Sequence, residues 1–114
     1  MVTIKTNSDA GIFVIHIDGE IDASSSIQLD EVMGSSITGE HNKILVNGEQ
    51  LSYISSAGLG VFMSYLEDIK PHNIKMAIFG LNEKVKNVFE ILGLDQLLNI
   101  VDKLEEATTL VNEV

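Results

Sequence analysis

The sequence predicts an α/β fold in which a mixed, mostly parallel sheet, opened by an N-terminal hairpin, is covered by about four helices. Three observations carry that reading. Runs rich in β-branched residues alternate with stretches whose apolar residues recur at helical spacing. Turn chemistry at Asn7-Ser8-Asp9-Ala10-Gly11 separates the first two of the β-rich runs. Lys43-Ile44-Leu45-Val46-Asn47 is a short continuous apolar run, the kind buried on both faces of a parallel sheet. At 114 residues the chain reads as one domain, residues 1–114, long enough to bury a core without staples.

Each element follows in order. Val2 to Thr6 alternates weakly and reads as a strand. Ile12-Phe13-Val14-Ile15-His16-Ile17 is dense in β-branched and aromatic residues and completes the hairpin. His16 is the polar residue within that run, expected to be solvent-facing or hydrogen-bonded. Gly19 permits a backbone conformation closed to other residues, so a bend or bulge is expected at the strand's end. Asp22, before Ala23-Ser24-Ser25-Ser26, is a candidate cap for a helix carrying Ile27, Leu29, Val32 and Met33 on its apolar face. Gly34-Ser35-Ser36 weakens that helix's end, and residues 38–42 read as a surface loop. After the strand at Ile44 to Val46, residues 48–53 read as a polar link. Leu59, Phe62, Met63, Leu66 and Ile69 then mark one helix face, with a stop at Pro71. Ile74 to Phe79 is a further strand, closed by Gly80. Asn82 can cap a helix lined by Val85, Val88, Phe89 and Leu92, and Gly93 can end it. Leu97 to Val101 reads as the last strand. Leu104, Ala107, Thr108 and Val111 place a final helix over residues 103–111. Alternation after the hairpin requires crossover connections, hence the largely parallel sheet.

Composition excludes several function classes. Hydrophobic residues make up 45% and charged residues 21% of the chain, ordinary globular usage that argues against disorder. There are no cysteines, so disulfides, thiolate chemistry and cysteine-zinc sites are excluded. Seven Lys and Arg against seventeen Asp and Glu give a formal charge of -10. Such a chain is repelled by nucleic acid and anionic membrane surfaces, so neither direct nucleic-acid binding nor membrane insertion is expected. The acidity serves solubility or suits a basic protein partner. The first residues lack the basic region and apolar core of a signal peptide, and no apolar run approaches the roughly 20 residues a bilayer requires. The expectation is a cytoplasmic protein.

The stretch around which the chain is organised is Ile54-Ser55-Ser56-Ala57-Gly58-Leu59-Gly60. Two adjacent hydroxyls stand where a loop turns into a helix. Either serine can cap the helix, its side-chain oxygen accepting from an otherwise orphaned amide. The same amides, with the positive end of the helix dipole, suit a phosphate group. Familiar catalytic patterns are absent. Gly58-Leu59-Gly60 lacks the third glycine of a dinucleotide fingerprint and the Lys of a phosphate-cradling loop. Ser56 does not stand in a Gly-x-Ser-x-Gly elbow. His16, His41 and His72 are scattered, with no metal-ligand spacing. Asp18, Glu20 and Asp22 form an acidic cluster. No enzyme active site is visible, and neither cofactor nor metal is called for.

The segment Tyr53-Ile54-Ser55-Ser56-Ala57-Gly58-Leu59-Gly60 resembles the signature of the STAS domain, the anti-sigma factor antagonist family. Gly19-Glu20-Ile21-Asp22 is similar to that family's Gly-Glu-Leu-Asp element. Gly80-Leu81-Asn82-Glu83 through Leu92-Gly93-Leu94 resembles its third helix and the turn beyond. The resemblance covers nearly the whole chain. It implies a STAS-like fold and a regulatory binding module, not an enzyme. The phosphate acceptor falls on Ser56, with Ser55 as a competing hydroxyl. Asp22, Ser55, Ser56, Ala57 and Gly58 are the implied partner-binding residues, Asp22 lying near the acceptor unless it serves only as a cap. The implied partner is an anti-sigma factor that is also a serine protein kinase, with a serine phosphatase as a candidate second partner. Ser55 stands where the family usually has Asp, and Asn47-Gly48 replaces a more usual Asp-Leu. An alternative implied by resemblance is an accessory subunit of a lipid-transport ATPase complex, without a phosphoswitch.

Overall fold

The computed structural model describes residues 2–39, 41–69 and 73–113. Pro71, where a helix stop was expected, and His72 lie outside the described residues. Strands β1 (Val2–Asp9) and β2 (Ile12–Ile21) form the hairpin, followed by α1 (Ser26–Thr38), β3 (Lys43–Ile54), α2 (Ser56–Ile69), β4 (Lys75–Phe79), α3 (Glu83–Ile91), a short 3-10 turn (Leu94–Gln96), β5 (Asn99–Val101) and α4 (Leu104–Asn112). The five strands lie in chain order, β1-β2-β3-β4-β5, in one sheet. β1 runs antiparallel to β2, and every other pairing is parallel. This is the mixed α/β sheet the alternation predicts.

That simple order decides where the core sits. Crossovers between parallel strands are right-handed, so three successive steps in one direction put α1, α2 and α3 on the same face. There Leu29 and Met33 of α1, Leu59 and Phe62 of α2, and Val85 and Phe89 of α3 bury against Ile15, Ile17, Ile44, Val46 and Ile78. The opposite face has only α4, which places Ala107 and Val111 over Ile12, Val14, Leu45, Ala77 and Phe79. Ile44, Leu45 and Val46 are all buried, alternating between the two cores, as expected for a strand covered on both sides. Among the described residues no helix is long and apolar enough to cross a membrane.

Local chemistry explains the joints. Ala10 and Gly11 both have positive φ, 52° and 81°, the geometry of a two-residue hairpin turn whose twist matches the flanking strands. The hairpin is therefore tighter than the sequence suggested, with β1 reaching Asp9. Gly19 has φ 112° and sits at a register shift, the expected bulge. The Asn82 carboxamide accepts from Val85 N at 2.8 Å to cap α3, and Gly93, at φ 73°, ends it.

The largest departure from expectation is β3. Residues 48–53 are strand, not link. Asn47 to Gln50 spans three steps where its partner β2 takes two, from His16 to Asp18, and Leu51 to Tyr53 spans two where Gly19 to Glu20 takes one. Each surplus residue flips the side-chain phase. The first turns Leu51 into the core and the second returns Ile54 to it, leaving Gln50, Ser52 and Tyr53 outside. Alternation is erased by the bulges, so the strand reads as a linker.

Candidate functional site

The site forms at the end of the sheet where β2 and β3 hand over to α1 and α2. Ile21 and Ile54 are the last parallel pair, and the Ser55 N–H donates to the Ile21 carbonyl at 2.8 Å. Asp22 and Ser55 therefore leave the sheet side by side.

Ser55 is the cap of α2. Its carbonyl accepts from Leu59 N at 3.0 Å, and its hydroxyl oxygen accepts from Gly58 N at 3.2 Å. One orphan amide of the first turn is thereby satisfied. Ser56 is the first helical residue and is exposed, as is Ala57. Among the described residues the Ser56 hydroxyl has no hydrogen-bond partner. Gly58 is buried beneath this turn. A Cβ there would stand 2.7 Å from Ile21 Cγ2 and 2.8 Å from Ile54 Cγ1, so only a glycine lets the helix sit this close to both strand ends. Two serines of like chemistry are thus sorted by one residue of helix phase: one is spent on the backbone, the other faces outward.

Asp22 starts the neighbouring turn. Its Oδ1 accepts from Ser24 N at 3.0 Å, Ser25 N at 2.8 Å and the Ser24 hydroxyl at 2.9 Å. The Ser25 hydroxyl in turn accepts from Asp22 N at 2.8 Å, a reciprocal capping box. The Asp22 carboxyl is held down at about 2, first by the Ser25 backbone hydrogen bond, then by the Ser25 and Ser24 hydroxyls. This cap acts one turn before α1 proper, whose first residue is Ser26. The hydrogen bonds of the Asp22 carboxylate go to Ser24 and Ser25, so it is an anion with its acceptor oxygen engaged. Ser25, buried and central to this box, went unremarked in the sequence; its position three residues after an Asp is the signal that marks it.

Two apolar residues assigned to helix faces in the sequence lie on the surface. Ile27 is 63% exposed and Met63 49% exposed. The stripe Ser26, Leu29, Met33, Ser36, Ile37 buries α1 and leaves Ile27 outside. In α2, Leu59 and Phe62 face inward while Met63 falls a hundred degrees further round. Leu92 and Leu104 likewise stand exposed. Among the described residues no group of three or more His, Cys, Asp or Glu is arranged to hold a metal ion.

Comparison with known proteins identifies the family and the fold. The family model for the STAS domain matches residues 3–107. An anti-sigma-B factor antagonist of Staphylococcus aureus (strain NCTC 8325 / PS 47) is 28% identical over 104 residues, covering 91% of this chain and 96% of that protein. An anti-sigma factor antagonist from Mycobacterium paratuberculosis has the same fold, with a TM-score of 0.91 at 18% identity over 99% of this chain and 96% of that one. The Bacillus cell fate determinant SpoIIAA in its phosphorylated form superposes with a TM-score of 0.70 at 21% identity, covering 94% of this chain and 97% of its own.

Proposed function

The chain belongs to the STAS domain family, and on that premise we propose that it is an anti-sigma factor antagonist switched by phosphorylation at Ser56. Unmodified, it docks on an anti-sigma factor that is also a serine kinase, and the sigma factor held there is released. It is a regulatory binding module, not an enzyme.

The observation that carries this reading is the exposed, unengaged Ser56 hydroxyl on the first turn of α2. Ser55 is a poorer acceptor because its oxygen already serves Gly58 N. Asp22, Ala57 and the Gly58 turn complete the docking surface, offering a fixed carboxylate and small residues that allow close backbone approach. The Staphylococcus relative, by its name, supports the anti-sigma role, and the phosphorylated form of SpoIIAA supports the switch.

The mechanism is electrostatic. Phosphorylation adds about -1.5 to -2 charges at pH 7. The free amides at the start of α2 hold that group, so the fold stays as it is. A partner surface shaped for a neutral hydroxyl meets an uncompensated anion, and about 1.4 kcal/mol lost there weakens binding tenfold. Incubation with the cognate kinase and ATP, followed by phosphosite mapping, tests the proposal. Phosphate on Ser56 is expected. Phosphate on neither serine overturns it, as does capture of a transporter ATPase in place of a kinase-fold partner.

A further inference from the structure

The half of the sheet that α4 leaves open carries a hydrogen-bonded chain across three strands. Asn47 of β3 is directly opposite His16 of β2. The Glu49 N–H can only donate, and it donates to Asn47 Oδ1 at 3.0 Å. Asn47 must therefore turn its amide nitrogen toward His16 Nδ1, 3.0 Å away, which makes Nδ1 an acceptor. The imidazole proton then sits on Nε2 and is donated to Asn7 Oδ1 of β1 at 2.6 Å. One backbone N–H thus dictates the orientation of an amide, the tautomer of a histidine and the orientation of a second amide.

The backbone N–H at the head of this chain belongs to the first bulge of β3. The turn from Asn47 to Glu49 is the surplus residue that sets the phase of everything after it, including Leu51, Ile54 and the Ser55-Ser56 turn. We propose that His16 and Asn47 form a proton-sensitive joint that positions the β3 bulge and, through it, the Ser55-Ser56 turn. His16 and Asn47 are positioning residues for that turn, and the assignment rests on Ser56 being the docking and modification point.

Protonation puts a hydrogen on His16 Nδ1, facing the Asn47 amide hydrogens. Asn47 rotates to accept it, because the bond from a charged donor is the stronger one, and its amide hydrogens then face the Glu49 N–H instead. That sets two donors against each other at the bulge and costs the Glu49 N–H its acceptor. The charged groups around the ring come from all three strands: Lys5 and Asp9 on β1, Asp18 on β2 and Glu49 on β3, which line the two clefts that meet at His16 and Asn47. Lys5 is the register partner of His16. Among the described residues, α4 sends Leu104 and Thr108 into these clefts and β4 sends Phe79.

The test is nuclear magnetic resonance on the full, isotope-labelled chain between about pH 5 and 8, the range in which histidine changes charge. At the upper end the His16 ring is expected as the Nε2–H tautomer. As His16 protonates, hydrogen exchange at the Glu49 amide, normalised to its intrinsic rate, should quicken about tenfold, the size of one lost hydrogen bond. The Ser55 and Ser56 amide shifts should follow the same midpoint. His16→Gln should remove the dependence. Asn47→Asp should remove it as well, because a carboxylate accepts from Glu49 N–H and from protonated Nδ1 at once. An Nδ1–H tautomer, a flat exchange profile at Glu49, or Ser55 and Ser56 shifts that ignore the His16 midpoint each overturn the proposal. These readouts need only the unaltered chain, so a variant that fails to fold leaves the test intact. They also need no kinase, so an unmodified Ser56 would refute the functional reading while leaving the joint standing.

Discussion

At Ser55 the hydroxyl oxygen is turned back onto the helix, where it meets Gly58 N, whereas the Ser56 hydroxyl one residue on has only solvent. Ser56→Ala should therefore bind the unmodified protein's partner with near-unchanged affinity but stay bound in the presence of kinase and ATP. Ser56→Asp should bind at least about tenfold more weakly in calorimetric titration. Asp22 makes a separate prediction. Its folded-state carboxyl is lowered from 3.8 to about 2, so its contribution to stability is complete above the higher value and is lost as the pH falls toward the lower. Asp22→Asn should lower the melting temperature at neutral pH, and its melting profile should converge on that of the unaltered chain at the acid end of that window. Capping serines and a capping aspartate were legible in the sequence as residue types. Which hydroxyl is engaged was not, because helix phase at a terminus moves by a residue or two without changing the pattern.

Glycines in α2 separate what packing demands from what the helix tolerates. Gly58→Ala places a methyl within 3 Å of Ile21 Cγ2 and Ile54 Cγ1, branch atoms with little freedom to yield. The expected cost is about 1–3 kcal/mol, and urea denaturation measures it. Gly60 has nothing within 4 Å of such a methyl, so Gly60→Ala should stabilise by up to about 1 kcal/mol in the same assay. All strands and helices described here were legible as elements, because β-rich runs and helical spacing are period signals that survive without tertiary context. The far half of β3 was not legible, since two bulges cancel the period-2 pattern there. Ile27 and Met63 were misassigned to apolar faces for a related reason. A stripe one residue too wide looks the same in sequence whether its margin is covered or bare.

For the molecule as a whole, the sheet's two faces are unequally defended. Three helices close one, and α4 alone closes part of the other. Val111, 1% exposed, carries much of that second contact. Val111→Ala should cost about 2 kcal/mol, read from chemical denaturation, with increased binding of a hydrophobic dye as Leu45 and Phe79 become reachable. The mixed sheet itself was legible from element order. That all crossovers would land on one side was not, because strand order in space cannot be read from the chain.

The surplus residues of β3 have a last implication, for how this segment can vary over generations. Letters between Asn47 and Ile54 are open to exchange wherever they face water. The number of letters is not. Removing any one of them slides Leu51 or Ile54 out of the interior and rotates the serines away from their present bearing. A library of single-codon deletions should therefore leave a hole across 48–53. Selection on folded protein in cells would reveal that gap directly.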